Sequence, residues 1–216
     1  MADNNNTQHI VWHEDAIIKQ LISYAVGCML GRYRLDKPGL HIAHPNPTDE
    51  EIAPYEYNGE QWEIDDDGIM PLMPNDCGFS DNASARFADF MRVSLGNDNH
   101  VENLNYVERC LGKTLEQYFV KDFWKDHKKM YQNRPIYWLF SSKKGAFQVI
   151  AYMHRMNAYT AERVRSSISS LTSNTWRQKS TSSMLVVPNS LPKRPSSYRL
   201  YRSSSMSAAN TTSACR

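Results

Sequence analysis

Several features that commonly indicate where a protein works are missing from this sequence. No apolar run is long enough for a membrane span, since the longest, 16–30, is interrupted by Lys19 and Gln20. The first eight residues are polar and rich in asparagine, unlike a secretory signal. The four cysteines are scattered and include no CxxC pair, which favours reduced thiols over a disulfide framework. The sequence therefore predicts a cytoplasmic protein that does not associate with membranes.

The common catalytic and cofactor motifs are also missing. Neither GxxxxGK[ST] nor GxGxxG occurs, and Ile17 stands where HExxH needs its second histidine after His13. Asp65-Asp66-Asp67 fits a cation site or, more simply, a solvated acidic loop. His127 and His154 lie among aromatic residues and are interpreted as packed or surface side chains. The sequence therefore predicts no catalytic, cofactor-binding or metal-binding residue in this chain.

Acidic residues are missing from the last 51 positions. Residues 166–216 contain seven basic and 21 serine or threonine residues, and no apolar period survives there. This composition predicts a disordered basic tail. Because the change comes in the middle of a helical pattern, translation in a wrong reading frame is one hypothesis and a natural basic tail is the other. Residues 1–165 hold 18 basic and 23 acidic residues, so bulk charge alone does not predict nucleic-acid binding.

The densest apolar and aromatic stretch runs from Arg134 to Arg155. Strand formers at 136–140 precede a polar loop at 141–145, and an alternating strand follows at 146–153. The alternation predicts a β-hairpin with both faces largely covered. A lone hairpin is only marginally stable in water, so we expect it to pack on a larger body.

The remaining pattern is mainly helical. Apolar periodicity predicts helices over 12–33, 82–95, 100–111 and 114–132, and another that begins at Thr160. Residues 36–81 contain six prolines and predict a long loop with at most short strands near 60–64 and 69–73. The predicted fold class is α+β, mainly helical with a β-hairpin. The chain divides by composition into segments 1–35, 36–81, 82–165 and 166–216.

The first helix is more apolar than a surface helix, with Ile17, Tyr24, Val26 and Cys28 widening its inward face. Few other predicted helices look able to cover it. Such a helix, next to a long loop, is typical of a segment whose covering surface belongs to a larger enzyme.

Three stretches together resemble one protein family. They are ISYAVGCMLGRYRLDKPGL (22–40), LEQYFVKDFWKDHKKMYQNRPIYWLFSSKKGAFQVIAYMHR (115–155) and YTAERVR (159–165). They are similar to the C-terminal part of the PglX-type adenine-specific DNA methyltransferases of BREX phage-defence systems. The resemblance implies a bacterial cytoplasmic enzyme that uses S-adenosylmethionine to methylate the exocyclic amine of adenine in a short, non-palindromic site.

The catalytic motifs of that family have no counterpart in this sequence. The family uses an Asn-Pro-Pro-Tyr type motif to hold the flipped adenine, and the nearest string is Asn46-Pro47-Thr48. The glycine-containing strand–turn that binds the donor is absent too. The resemblance therefore implies a target-recognition or spacer fragment that is not catalytic alone, with S-adenosylmethionine a cofactor of the full-length family only. Whether this chain should be counted as an enzyme stays open.

The hairpin and its flanks supply the candidate DNA contacts. They are Arg134, Ser141, Ser142, Lys143, Lys144, Tyr152 and Arg155. A solvated turn over a core strand pair is the simpler interpretation of the same loop. The expected partners are DNA, through the full-length enzyme, and the catalytic portion or other defence proteins. The alternatives are a non-enzymatic DNA- or protein-binding module that docks on a defence complex, and a decayed, inactive product.

Overall fold

The computed structural model describes residues 13–77, 79, 81–143 and 145–172, with residues 167–172 described by backbone only. The fold is α+β and mainly helical, with a β-hairpin, and this confirms the predicted class. The helices are α1 Glu14–Met29, α2 Asp49–Ile52, α3 Ala83–Leu95, α4 His100–Leu111, α5 Leu115–Lys121, α6 Phe123–Met130 and α7 Thr160–Thr172. The strands are β1 Tyr55–Tyr57, β2 Glu60–Trp62, β3 Ile69–Pro71, β4 Tyr137–Ser141 and β5 Gln148–Tyr152. None of the described helices is both long and apolar enough to cross a membrane.

Helix α1 is the central element of the core, and this chain covers it. It packs against α3 and α4, and Ile22, Ala25 and Met29 are completely buried. The expectation that its covering surface belongs to other polypeptide is therefore wrong. Its apolar face is also narrower than predicted, since Ile17 and Tyr24 stay 46% and 41% exposed.

Capping residues explain where some of the other helices begin and end. Gly112 ends α4 in a left-handed conformation with φ of 66°, and the Thr114 side chain accepts the N–H of Gln117 at the start of α5. The helix predicted over 114–132 is interrupted at Asp122, where φ reaches −123°. Asn82 precedes α3, and its side chain bonds the backbone of Met73 instead of capping the helix.

The predicted hairpin is β4 paired with β5, and β3 completes a three-stranded antiparallel sheet in the order β3-β5-β4. Ile150 and Tyr152 face the core around α1, while Val149 and Ala151 pack on the opposite face with Val164 of α7. Both faces are covered, as the alternation predicted, and the body that covers them is in this chain.

The proline-rich segment contributes side chains to the core. Strands β2 and β3 form close to the two predicted positions, and β1 joins β2 in a hairpin that turns through Asn58 and Gly59, with φ of 54° and 77°. Trp62 of β2 is 2% exposed, and its ring lies 5.9 Å from that of Phe90. The short strands predicted in this segment are thus present, and the segment also supplies core side chains such as Trp62.

The predicted disordered tail lies mostly outside the described residues. The structure continues α7 through Thr172, and the tail from residue 173 to the C-terminus is not among the described positions, nor are residues 1–12.

Candidate nucleic-acid interface

The tip of the β4–β5 hairpin is held in shape by its own hydrogen bonds. The N–H of Gly145 donates to the carbonyl of Ser142 at 2.9 Å, and Gly145 has a φ of 68°, which glycine adopts without strain. The Ser142 hydroxyl accepts the N–H of Phe147 at 3.1 Å, and the Ser141 hydroxyl donates to the Ser142 carbonyl. Both predicted serines therefore first stabilise the loop, with only part of their hydrogen-bonding capacity left for a ligand.

The tip also rests on a neighbouring helix through a residue that the sequence did not single out. The side-chain amide of Gln148 donates to the carbonyl of Val120 at 3.2 Å and to that of Gly145 at 3.4 Å. This side chain fixes the distance between the hairpin tip and the end of α5. No local sequence signal marks Gln148, because its role depends on a hydrogen bond to Val120, 28 residues earlier in the chain.

Two predicted contacts, Lys143 and Arg134, are exposed at opposite ends of β4. Lys143 stands in the tip, and Lys144 beside it lies outside the described residues. Arg134 follows two residues of positive φ, Gln132 and Asn133, at 51° and 61°. Because each strand residue advances roughly 3.3 Å, the strand holds Arg134 and Lys143 roughly 15 Å or more apart.

Tyr152 and Arg155 must be removed from the candidate surface because both are buried. The Tyr152 hydroxyl donates to the Ile42 carbonyl at 2.8 Å and accepts from the Arg32 guanidinium at 3.1 Å. Both side chains bond groups of this chain and are at most 4% exposed, so neither can reach a ligand without a rearrangement of the fold.

The Arg155 guanidinium is 4% exposed and donates to three backbone carbonyls. They belong to Leu30, Asp65 and Asp66, at 3.2, 2.6 and 2.6 Å. Burial lowers the pKa of Arg155 from its ordinary value. This arginine therefore joins the end of α1 to the acidic loop before β3.

The acidic loop has an internal structural role. One Asp65 carboxylate oxygen accepts the N–H groups of Gly68 and Ile69, and Asp67 accepts the same Ile69 N–H at 2.8 Å. Burial, followed by the nearby Asp67 charge, raises the pKa of Asp65. Carboxylate oxygens of the three aspartates come within 4.8 Å of one another, a chemistry that suits hard cations. The backbone hydrogen bonds explain the cluster without one, and it is not the solvated loop that the sequence favoured.

His127 is packed among aromatic rings, as expected. Its ring lies 4.7 Å from that of Tyr137, and burial lowers its pKa to about 4. His154 is exposed and lies against Tyr152.

These features describe an α+β module: a three-stranded sheet buried on both faces, with a basic hairpin tip and a lysine-rich helix on its outside. No family model matches the chain. It is, however, 41% identical over 168 residues to the adenine-specific methyltransferase BrxX of Escherichia coli O9:H4 (strain HS), which covers 71% of this chain and 14% of that protein. It is 33% identical over 159 residues to the adenine-specific methyltransferase PglX of Lacticaseibacillus casei (strain Zhang), which covers 68% of this chain and 13% of that protein.

The predicted resemblance is thereby confirmed, and the chain is related to the PglX-type adenine-specific methyltransferases. It spans only about one seventh of the length of the relatives that it matches.

Proposed function

We propose that this chain is the C-terminal target-recognition or spacer segment of a site-specific DNA adenine N6-methyltransferase of a BREX phage-defence system. It contacts DNA in the cytoplasm, while S-adenosylmethionine is bound and the methyl group is transferred by a catalytic portion elsewhere. The observation that carries the proposal is the 41% identity to BrxX, confined to 14% of that protein. The missing Asn-Pro-Pro-aromatic string in the sequence agrees with it.

The chemistry of adenine methylation explains why such a segment needs no reactive group. The catalytic portion must hold the flipped base and the donor together, and that geometry is independent of the contacts that place the enzyme on its site. A recognition segment needs a rigid support and exposed donors. The sheet buried on both faces supplies the support, and the exposed tip with Lys143 supplies donors.

The first experiment incubates the purified full-length chain with isotopically labelled S-adenosylmethionine and duplex DNA. We expect salt-dependent DNA binding without methyl transfer, and transfer only after the catalytic portion of a PglX-type relative is added. Robust transfer by this chain alone would overturn the proposal, and so would failure to bind DNA at any salt concentration.

A second experiment tests the hairpin tip. Alanine at Lys143 and Lys144 should lower the slope of log K against log salt concentration by roughly one for each phosphate that the tip no longer neutralises. Lys37→Ala, at an exposed lysine in the loop after α1, is the matched control and should leave the slope unchanged. An unchanged slope in the tip variants would show that the loop does not contact phosphate and is the solvated turn of the simpler interpretation.

Protein docking is the second candidate function, because two large apolar side chains are exposed near the α3–α4 junction. Leu95 and Val101 are 61% and 68% exposed. If this chain acts by docking, Leu95→Ser with Val101→Ser should abolish association with the catalytic portion and leave the DNA salt slope unchanged. Retained association would confine the function to DNA contact.

A further inference from the structure

Positive charge is concentrated in one short part of an otherwise acidic body. Residues 121–144 contain seven basic and two acidic residues, whereas the rest of residues 1–165 contains 11 basic and 21 acidic residues. A local concentration of this kind creates a positive surface even where the whole body is negative.

The acidic side chains between residues 115 and 130 make their shorter contacts with groups outside this segment. Glu116 accepts the N–H of Asn75 at 3.3 Å, Asp122 pairs with Lys113 at 2.7 Å, and Asp126 pairs with Lys19 at 3.4 Å.

The lysines of the same helices stay largely unpaired. Lys125 reaches Asp122 at 3.6 Å and is 74% exposed, so that pair contributes little. Within the described part of the chain, Lys121, Lys128 and Lys129 have no ion pair.

Two hydrogen bonds fix the direction in which the segment that carries these lysines passes the hairpin. At one end the N–H of Ile136 donates to His127, and at the other the Gln148 amide donates to the Val120 carbonyl. The segment from Val120 in α5 to His127 in α6 therefore runs from the tip end of the hairpin towards the beginning of β4, the edge strand in the order β3-β5-β4, and so opposite to the direction of β4. This arrangement places Lys121 at the tip end of the strand, and the C-terminal turn of α6 at the end where Arg134 stands.

We propose that Lys121, Lys125, Lys128 and Lys129 form, with Arg134 and Lys143, one continuous strip that binds the phosphate backbone of DNA. This inference rests on the proposed function and extends it from the hairpin tip to the whole α6–β4 edge. At 1.5 Å per residue, the α6 lysines from Lys125 to Lys129 span about 6 Å, and Lys121 lies beyond the interruption at Asp122. Arg134 and Lys143 lie roughly 15 Å or more apart, and one strand of B-DNA rises 3.4 Å per phosphate, so the strip spans about four phosphates or more. Lysine binds phosphate as a point charge, so these contacts hold DNA without reading its sequence.

The experiment measures the salt dependence of DNA binding by the full-length chain carrying Lys121→Ala, Lys128→Ala and Lys129→Ala together. The expected slope falls by up to about three, since each phosphate contact contributes about 0.9. The loss should be the same for duplexes of different sequence. The corresponding triple arginine variant should keep the original slope, and Lys37→Ala again serves as the control at an exposed lysine outside the strip. All variants carry the same tail, so its basic residues do not contribute to the differences.

The outcomes separate this inference from the proposed function. If the tip variants lower the slope and the triple alanine variant does not, the strip is wrong and the recognition function stands. If the triple alanine variant keeps its DNA slope but loses binding to poly-glutamate, the strip is a docking face for an acidic protein and the inference is overturned. If the unmodified chain binds no DNA, both proposals fail.

Discussion

The backbone N–H of Ile136 donates to the Nε2 atom of His127 at 3.2 Å, and this bond ties α6 to the beginning of β4. The imidazole is 1% exposed. Burial, with a smaller contribution from the Arg32 charge, lowers the pKa of His127 to about 4. The ring is therefore neutral at physiological pH, and Nε2 is free to accept. A proton on Nε2 would break this bond and place an uncompensated charge in the core.

We expect His127 to make the folded chain less stable as the pH falls. Its pKa is depressed in the folded state, so the unfolded chain binds the proton first. The contribution is fully present above the unfolded pKa of about 6.5 and is lost progressively as the pH falls towards 4. The difference between the unfolded pKa of about 6.5 and the folded pKa of about 4 corresponds to at most about 3 kcal/mol in the free energy of unfolding. Urea unfolding at a series of pH values between 7.5 and 4 measures it.

His127→Gln is the matched variant, because the glutamine oxygen can accept the same N–H and does not titrate in this range. The control is needed because Asp65, whose raised pKa makes the folded state lose stability as the pH rises, works in the opposite direction. The stability of the original chain relative to His127→Gln should fall between pH 6.5 and 4. A difference that stays constant with pH would contradict the role given to the imidazole.

Local chemistry made part of this fold predictable. Gly112 marks the end of α4, and the alternation around Val149 and Ile150 predicts a strand with both faces buried. The covering of α1 was not predictable, because Trp62 and Phe90, which help to form its core, come from segments far apart in the sequence. The sequence predicts the short strands within residues 36–81 but does not show that their side chains join the core.

The candidate interface also combines features that the sequence predicts with features that it does not. The sequence predicts a loop over residues 141–145, and the described part of the tip agrees except that Ser141 ends β4, because turn composition is local. It misassigns Arg155, since a basic residue after an exposed-looking hairpin gives no sign that three backbone carbonyls surround its guanidinium. Burial and long-range partners are set by packing, and a pattern in one stretch does not contain them.

Gly27 is placed where a larger residue meets an aromatic ring. A Cβ atom at this position would lie 2.5 Å from Cδ2 and 2.8 Å from Cε2 of Tyr33. Alanine normally stabilises a helix interior by up to about 1 kcal/mol relative to glycine. We expect Gly27→Ala instead to destabilise the chain by about 1–3 kcal/mol, the usual cost of overpacking, as measured by urea unfolding.

Removal of the obstructing ring should relieve this clash. The double variant Gly27→Ala with Tyr33→Ala should be more stable than the sum of the two single changes predicts, by about 0.5 kcal/mol or more. Strict additivity would show that Tyr33 simply swings away, and that close packing is not the reason for glycine at this position.

Gln148 offers a test of how the hairpin tip is positioned. Replacement by leucine removes both side-chain bonds, to Val120 and to Gly145, and keeps a similar volume in the sheet. We expect faster amide hydrogen exchange in the tip, chiefly at Gly145 and Phe147, while the amides of β3 and the rest of β5 stay protected. Gln148→Glu, which loses the donor but keeps the length, should behave like the leucine variant. Unchanged exchange in both variants would show that the loop's internal bonds suffice.

Arg155 gives the sharpest contrast between a predicted DNA contact and an observed structural role. Arg155→Met keeps the apolar stem but leaves the carbonyls of Leu30, Asp65 and Asp66 without this donor. Buried groups left without partners cost about 1–3 kcal/mol each, and we expect a total loss of about 3 kcal/mol or more in the free energy of unfolding. Arg155→Lys should recover little of it, because one ammonium group cannot reproduce the planar arrangement of donors.

Arg134→Ala distinguishes DNA contact from structural support. This arginine is exposed, and it begins the stretch of sequence that ends at Arg155. It should change the free energy of unfolding by less than about 0.5 kcal/mol, and the proposed strip predicts a lower salt slope for DNA binding. Arg155→Lys should show the reverse pattern under conditions where it remains folded: lower stability with an unchanged slope. If Arg155→Lys were as stable as the original chain and bound DNA with a lower slope, its guanidinium would reach phosphate, and the buried position described for it would be wrong.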